Sequence, residues 1–146
     1  MTPAGRAIDV LLVEDDPGDV LITREVLEHN KIKNNVHVAS DGEEGLDFLY
    51  KRGAYADAPE PDLILLDLNL PKYDGRQLLE RIKSDADLCH IPVVVLTTSS
   101  AEEDVLTSYK LHANAYVTKP VDVDQFMTAV RRIDEFFIQV VQLPQP

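Results

Sequence analysis

The sequence predicts an α/β fold in which five parallel strands form one doubly wound sheet. Short apolar runs of strand length recur along the chain, and segments typical of amphipathic helices separate them. The length of 146 residues leaves no room for a second domain. Strands that alternate with helices indicate a parallel sheet covered on both faces, and right-handed crossovers leave the strand order 2-1-3-4-5 as the natural choice.

The predicted strands differ in how deeply they should be buried. The runs "DLILLD" and "IPVVVLTT" are almost continuously apolar, which is typical of strands covered on both faces. The run "NVHVAS" alternates between apolar and polar residues, which is typical of a less buried strand. The five strands are predicted at residues 8–13, 35–40, 62–67, 91–98 and 114–119.

Five helices are predicted between and after these strands. Pro17 suits a first helical turn, and Asp122 followed by Gln125 is typical of a capped helix start. The inward faces of the second, third and fourth helices are marked by Leu46, Leu49 and Tyr50, by Leu78, Leu79 and Ile82, and by Val105, Leu106 and Tyr109. The helices are predicted at residues 17–30, 41–53, 74–85, 101–111 and 122–141, with a loop at 54–61.

Size and composition restrict the class of protein. We expect a single domain over residues 1–146, with its core at about 7–141 and short flexible tails. The net charge of −12 disfavours nucleic acids and anionic membranes as partners. No apolar run reaches the length of a membrane span, and we expect no signal peptide. The single cysteine, Cys89, cannot form an internal disulfide, so we expect a cytoplasmic protein.

Polar residues stand where the predicted strands end, at the edge where open α/β sheets place their sites. Taken alone, each is more often a helix cap, a turn residue or a surface charge. Clustered carboxylates, however, call for a cation, and a set of oxygen ligands favours Mg²⁺ over zinc. A hydroxyl and an ammonium group beside a cation complete a phosphoryl-transfer site, in which an Asp can be the nucleophile. The residues are Glu14, Asp15, Asp67, Thr97, Thr98 and Lys119.

This pattern resembles the receiver domain of two-component response regulators over nearly the whole chain. The matching stretches are "VEDD", "LLDLNLPKYDG", "TT" and "YVTKP", in this order and spacing. The segment "IPVVVLTTSS" and the loop before the third strand are most similar to single-domain receivers paired with bacterial and cyanobacterial phytochrome kinases. The resemblance implies a flavodoxin-like (CheY-like) fold and a signalling protein, not an enzyme, that accepts a phosphoryl group from a sensor histidine kinase. Its output would be switched protein contact or onward phosphotransfer.

The resemblance also implies a role for each matching residue. Asp67 matches the phosphoacceptor, and Thr97 and Lys119 match the residues that contact the phosphoryl group. Mg²⁺, or Mn²⁺ in its place, is expected on Asp15, Asp67, the backbone carbonyl of Asn69 and, through water, Glu14.

Other matching positions concern the switch and the backbone. Tyr116 matches the aromatic residue that turns inward when the threonine moves, and the bond before Pro120 is expected to be cis. Gly75 matches a position with a tight backbone path, and Asp16 is expected to be a first-turn charge. Where many relatives have Ala this chain has Thr98, followed by Ser99, which leaves the dephosphorylation rate open.

The last predicted helix carries more apolar residues than contact with the sheet requires. Phe136, Phe137 and Val140 are compatible with a wide core face or with a homodimer interface through this fifth helix. The sequence leaves both interpretations open.

Three other functions are compatible with this fold class. An Mg²⁺-dependent phosphatase or phosphotransferase for a small substrate usually has a second acid two residues after its nucleophile, where this chain has Asn69. A flavin or nucleotide protein would have a glycine-rich loop after the first strand, where this chain has acids. A docking domain that has lost phosphorylation would not need the complete set of polar residues at the strand ends. The phosphoacceptor is therefore the favoured hypothesis.

Overall fold

The computed structural model of the chain describes residues 8–29, 34–68, 75–97, 113, 115–119 and 121–131. The strands are β1 (Ile8–Val13), β2 (Asn34–Ala39), β3 (Leu63–Asp67), β4 (Val93–Thr97) and β5 (Ala115–Thr118). The α-helices within these ranges are α1 (Pro17–His29), α2 (Gly42–Leu49), α3 (Gly75–Ser84) and α4 (Val123–Arg131), and a short 3-10 helix spans Gly53–Tyr55. The helix predicted at 101–111 and residues 132–141 of the last predicted helix lie outside the described residues.

The strands form one parallel sheet in the order β2-β1-β3-β4-β5, which confirms the predicted topology. Every residue of β3 and β4 is buried, as their continuous apolar sequences predict. Strand β2 lies at an edge and is more exposed, in agreement with its alternating sequence. The register brings the strand ends level, because Val13 pairs with both Ala39 and Leu66, and Asp67 pairs with Leu96.

Alternation along the strands divides the core into two layers. In β3, Leu63 and Leu65 face the layer that contains residues of α1 and α4, whereas Ile64 and Leu66 face the layer that contains residues of α2 and α3. The predicted inward residues of α3, namely Leu78, Leu79 and Ile82, are all fully buried. The sheet is therefore fixed from both sides, and its carboxyl edge is a rigid base for polar side chains.

Three helices begin at side chains that cap their free N–H groups, and at α2 the Asp41 side chain accepts from the Glu44 N–H at 2.9 Å. The Asp16 carboxylate accepts a hydrogen bond from the Gly18 N–H at 2.8 Å, and Pro17, which has no N–H, is the first residue of α1. Asp16 is thus the cap of α1 and stands just before the first turn in which it was expected. Asp122 accepts from the Gln125 N–H at 2.8 Å, and the Gln125 side chain donates back at 2.9 Å, which confirms the predicted cap of α4.

The prediction of a helix over 41–53 is wrong in its last four residues, because α2 ends at Leu49. Lys51 and Gly53 have φ angles of 55° and 57°, and this left-handed conformation interrupts the helix. The chain then turns into the 3-10 helix, where a loop was expected, and the Tyr55 ring packs on Phe48 at a centroid distance of 5.5 Å.

The remaining boundaries differ from prediction by one or two residues. Strand β4 begins at Val93 instead of residue 91, because Pro92 has no N–H to donate to a neighbouring strand. Its carbonyl still accepts from Ile64 N at 2.9 Å. Among the helices in the described part of the chain, none has both the length and the apolar composition that crossing a membrane requires.

Candidate functional site

Three carboxylates meet at the carboxyl ends of β1 and β3, and we call Glu14, Asp15 and Asp67 the strand-end acids. One oxygen from each lies within 4.8 Å of those of the other two. Glu14 and Asp67 are buried, whereas Asp15 is exposed. The positions are set by the sheet, since the Glu14 N–H donates to the Ala39 carbonyl at 2.9 Å. The structure thus brings together the acids that the sequence placed at two separate strand ends.

Glu14 is the most deeply buried of these acids and is incompletely satisfied. Its Oε2 accepts a hydrogen bond from the Asp16 N–H at 3.2 Å. Its Oε1 accepts no well-aligned hydrogen bond from the described residues, although Lys119 Nζ lies 2.8 Å away. Burial raises the pKa of Glu14 from 4.5 to about 7; Lys119 opposes this shift, and the Asp67 charge adds to it. A buried oxygen without an aligned donor is a suitable ligand for a cation or for its bound water.

Lys119 directly follows β5, which is an edge strand, and its side chain reaches the strand-end acids Glu14 and Asp67. Its backbone N–H donates to the Thr97 carbonyl at 2.7 Å. Its Nζ lies 2.8 Å from Glu14 Oε1, 2.9 Å from Asp19 Oδ2 and 3.2 Å from Asp67 Oδ2. Burial alone would lower the pKa of Lys119, but the surrounding carboxylates outweigh burial and hold it above its usual value. Lys119 therefore carries a positive charge beside Asp67.

Asp19 is a site residue that the sequence interpretation missed. It lies in the first turn of α1 and accepts a hydrogen bond from Lys119 Nζ at 2.9 Å. The signal that could have identified it is its position, because the helix after the first strand begins at the carboxyl edge of the sheet. An acid in that first turn can face the same edge as the strand-end acids.

The two residues predicted to form a switch, Thr97 and Tyr116, lie on β4 and β5. Thr97 is buried at the end of β4, one residue beyond Leu96, which pairs with Asp67. Tyr116 is half-buried against the layer that contains α2 and α3, and its hydroxyl accepts from the Ala113 N–H at 3.2 Å. Thr97 thus lies at the carboxyl edge of the sheet, one strand away from Asp67, as the sequence predicts.

Gly75 allows the start of α3 to approach the backbone that follows Asp67. A Cβ atom at this position would lie 2.5 Å from the Asp67 carbonyl oxygen and 2.6 Å from Leu68 Cα. The glycine expected here is thus required for a close approach and not for a positive φ angle. Other predicted residues of the site lie outside the described residues: Asn69, Thr98, Ser99 and Pro120.

The oxygen ligands that the site offers suit a hard divalent cation. The three strand-end acids provide carboxylate oxygens, the ligands that Mg²⁺ and Mn²⁺ prefer, and the group contains no histidine or cysteine. Lys119 brings one positive charge against several carboxylates, so a divalent cation would reduce the remaining repulsion. An acceptor carboxylate, a cation site and an ammonium group are together the parts needed to receive a phosphoryl group.

Comparison with known proteins gives one consistent result. Residues 10–131 match the family model described as response regulator receiver domain. Response regulator Rcp1 of Synechocystis sp. is 46% identical over 135 residues, which cover 92% of this chain and 92% of Rcp1.

Solved structures of similar proteins share the fold. The bacteriophytochrome response regulator AtBRR superposes with a TM-score of 0.83 at 44% identity, over 88% of this chain and 94% of that chain. The Mn²⁺-bound form of Rcp1 gives a TM-score of 0.74 at 45% identity, over 94% and 99%. The phosphorylated cyanobacterial phytochrome response regulator RcpA gives a TM-score of 0.76 at 44% identity, over 96% and 100%.

Proposed function

The chain belongs to the response regulator receiver domain family, and on that premise we propose that Asp67 is its phosphoacceptor. The observation that carries the proposal is that the buried Asp67 carboxylate lies in the group of strand-end acids and 3.2 Å from the Lys119 ammonium. Family membership makes the chain a signalling protein, and the alternative of a phosphatase for small substrates receives no support. We propose that residues of about 7–141 act as one receiver domain.

The proposed reaction is transfer of a phosphoryl group from a phosphohistidine of a sensor kinase. A carboxylate oxygen of Asp67 attacks the phosphorus atom and forms a P–O bond as the P–N bond breaks. The electron pair of the P–N bond stays on the imidazole nitrogen, which takes a proton from water. Lys119 holds a phosphoryl oxygen and offsets the charge that accumulates there.

Mg²⁺, or Mn²⁺ in its place, is the proposed cofactor. The residues that would hold it are Asp15, Asp67, the backbone carbonyl of Asn69 and, through water, Glu14. When bound, the ion supplies positive charge to the phosphoryl oxygens. The incompletely satisfied Oε1 of Glu14 and the Mn²⁺-bound form of the relative Rcp1 support this assignment.

Thr97 and Tyr116 are the proposed switch. After transfer, the Thr97 hydroxyl would donate to a phosphoryl oxygen, and Tyr116 would move from its contact with the Ala113 N–H into the space that Thr97 leaves. The bond between Lys119 and Pro120 is proposed to be cis. The phosphorylated form of the relative RcpA supports a stable modified state.

The proposed partner is a sensor histidine kinase of the phytochrome type, because the similar structures include phytochrome response regulators. A cytoplasmic location is proposed with it, since the exposed and unpaired Cys89 suits a reducing compartment. Phosphotransfer profiling against several kinases would test the pairing, and a strong preference for a kinase without a photoreceptor would contradict it.

A homodimer through the fifth predicted helix is proposed from the sequence alone, because Phe136, Phe137 and Val140 lie outside the described residues. Light scattering of Phe136→Glu beside the unmodified protein tests it. A dimer that becomes a monomer would support the proposal, and an unchanged mass would contradict it.

The acceptor assignment is tested by the same substitution at the two ends of β3. Asp67→Asn should reduce Mg²⁺-dependent labelling by a phosphohistidine kinase, or by acetyl phosphate, to background, because an amide oxygen cannot serve as the nucleophile. Asp62→Asn, which changes an acid at the start of the same strand, should be labelled like the unmodified protein. Undiminished Mg²⁺-dependent labelling of Asp67→Asn would disprove the assignment.

A further inference from the structure

We infer that Asp19 is a positioning residue that holds the Lys119 ammonium on the α1 side of the site and competes with the phosphoryl group for it. The inference rests on the proposed function of Asp67 as phosphoacceptor and extends it to a residue of α1. It predicts that the charge of Asp19 limits how tightly the site binds a phosphoryl group.

The Lys119 ammonium group has a limited number of hydrogen-bond donors. An ammonium group has three N–H donors and no acceptor. Three carboxylates already lie within 3.2 Å of Nζ, those of Glu14, Asp19 and Asp67. Among these contacts, the one with Asp19 has hydrogen-bond geometry, at 2.9 Å. A phosphoryl oxygen arriving on Asp67 therefore meets an ammonium group that is already surrounded by anions, and one of these contacts has to be given up.

Asp19 differs from the other two carboxylates in its relation to a cation. Glu14 and Asp67 belong to the group whose oxygens lie within 4.8 Å of one another, and Asp19 is not in that group. A divalent cation at the strand-end acids would offset the charges of Glu14 and Asp67 and weaken their attraction for Lys119. The charge of Asp19 would be offset least, so Asp19 becomes the main anionic partner of the lysine before phosphorylation.

The position of Asp19 is fixed by α1. The buried Thr23 side chain donates to the Asp19 backbone carbonyl at 2.8 Å, and Asp16 caps the same turn. The Asp19 side chain is only 27% exposed. Asp19 therefore cannot follow Lys119 far toward Asp67, and the lysine has to move away from Asp19 or divide its donors between Asp19 and the phosphoryl oxygen.

A double-mutant cycle tests the inference. Beryllofluoride, which mimics a phosphoryl group on a carboxylate, is titrated by calorimetry at saturating Mg²⁺ into the unmodified protein, Asp19→Asn, Lys119→Met and the double variant. Asn keeps the size of Asp and an acceptor oxygen but removes the charge. Asp19→Asn should bind beryllofluoride about fivefold more tightly, which is the order of effect of a partly exposed, charge-assisted hydrogen bond. In the Lys119→Met background the same change should have no effect.

Asp16→Asn is the matched control. It removes the same charge from the same end of α1, retains an oxygen that can cap Gly18, and should change beryllofluoride affinity by less than about twofold. If Lys119→Met binds beryllofluoride too weakly to titrate, the rate of Asp67 labelling by acetyl phosphate is compared across the same four proteins. Urea denaturation of each variant shows that the fold is retained.

The possible outcomes are distinct. Unchanged or weaker binding in Asp19→Asn overturns the inference, and so does an equal gain in the Lys119→Met background, which would indicate simple charge repulsion. Absence of Mg²⁺-dependent binding to the unmodified protein would instead refute the proposed function. Binding to the unmodified protein that is insensitive to Asp19 would refute the inference alone.

Discussion

Two groups of acids stand at opposite ends of the same strands, and their surroundings differ. Asp9 and Asp62, which we call the strand-start acids, lie at the amino ends of β1 and β3. Asp62 Oδ2 accepts the Asp9 N–H at 2.9 Å, and Asp9 Oδ1 lies 3.1 Å from His37 Nε2. Asn35 Nδ2 contacts the same Asp9 oxygen at 3.4 Å. Each strand-start acid is thus satisfied by neighbouring N–H donors.

Two of the strand-end acids, Glu14 and Asp67, instead share one ammonium group. Glu14 Oε1 is buried without an aligned hydrogen bond among the described residues, and it shares the Lys119 ammonium with Asp67 and Asp19. An acid whose oxygens accept hydrogen bonds from neighbouring N–H groups needs no further partner and serves to stabilise the fold. Acids that depend on one shared ammonium still favour additional positive charge. The difference separates acids with local hydrogen-bond partners from the acids for which we propose a cation and a phosphoryl group.

The largest change in stability is expected when the ammonium group that Glu14 and Asp67 share is removed. Lys119→Met should lower the free energy of unfolding by about 3 kcal/mol without divalent cations at mildly alkaline pH, because the buried Glu14 and Asp67 carboxylates would lose the ammonium group that they share. Saturating Mg²⁺ should restore a large part of this loss. Urea denaturation with EDTA or Mg²⁺ measures both, and a loss of stability that Mg²⁺ does not reduce would indicate lost packing instead of lost charge.

Smaller changes in the free energy of unfolding, opposite in sign, are expected when the acids at the two ends of β3 are substituted. Without divalent cations, Asp67→Asn should raise the free energy of unfolding by about 1–2 kcal/mol, because it relieves repulsion with Glu14. Asp62→Asn should lower it by up to about 1 kcal/mol, because the Asp9 N–H loses a charged acceptor. The same denaturation series measures both variants. Stabilisation by both substitutions, or by neither, would remove the distinction between the two groups of acids.

The pH dependence of stability follows from the same charges. Glu14 keeps its proton up to about pH 7 in the fold but only up to about 4.5 in the unfolded chain. The stability associated with this proton is complete below 4.5 and is lost as the pH rises through about 7. In Asp67→Asn this decrease should be smaller, because the neighbouring charge that raises the pKa of Glu14 is gone. Denaturation midpoints across this pH range, without divalent cations, measure the difference.

The convergence of the strand-end acids with Lys119 could be predicted because parallel strands present all their carboxyl ends at one edge. Asp19 was not found in this way, because it lies on a helix and not at a strand end, and its contact with Lys119 depends on how α1 packs against the sheet. The pKa of Glu14 depends on burial, which a strand-end position does not reveal. The early end of α2 was missed because a non-glycine residue, Lys51, adopts a positive φ angle.

The requirement for glycine at position 75 was predicted, but the reason given for it was incomplete. The sequence indicated a tight backbone path, which is a general property of glycine after a turn. The structure gives a steric reason, because a side chain would meet the backbone of Asp67 and Leu68. Such a contact between two segments of backbone cannot be inferred from local sequence.

The smallest expected effect is at the strand-start acids. His37→Gln should change the free energy of unfolding by less than about 0.5 kcal/mol. Solvent partly screens the contact between His37 and Asp9, and Gln retains an N–H donor for Asp9. His37 and Asp9 are 31% and 24% exposed, and Asn35 contacts the same oxygen.

His37→Ala should cost more, since the ring also packs on Phe48 at a centroid distance of 5.1 Å. Neither variant should alter the stabilisation by Mg²⁺. If His37→Gln reduced stability as much as Lys119→Met and Mg²⁺ compensated for it, the strand-start acids would also depend on charge, and the distinction between the two groups would fail.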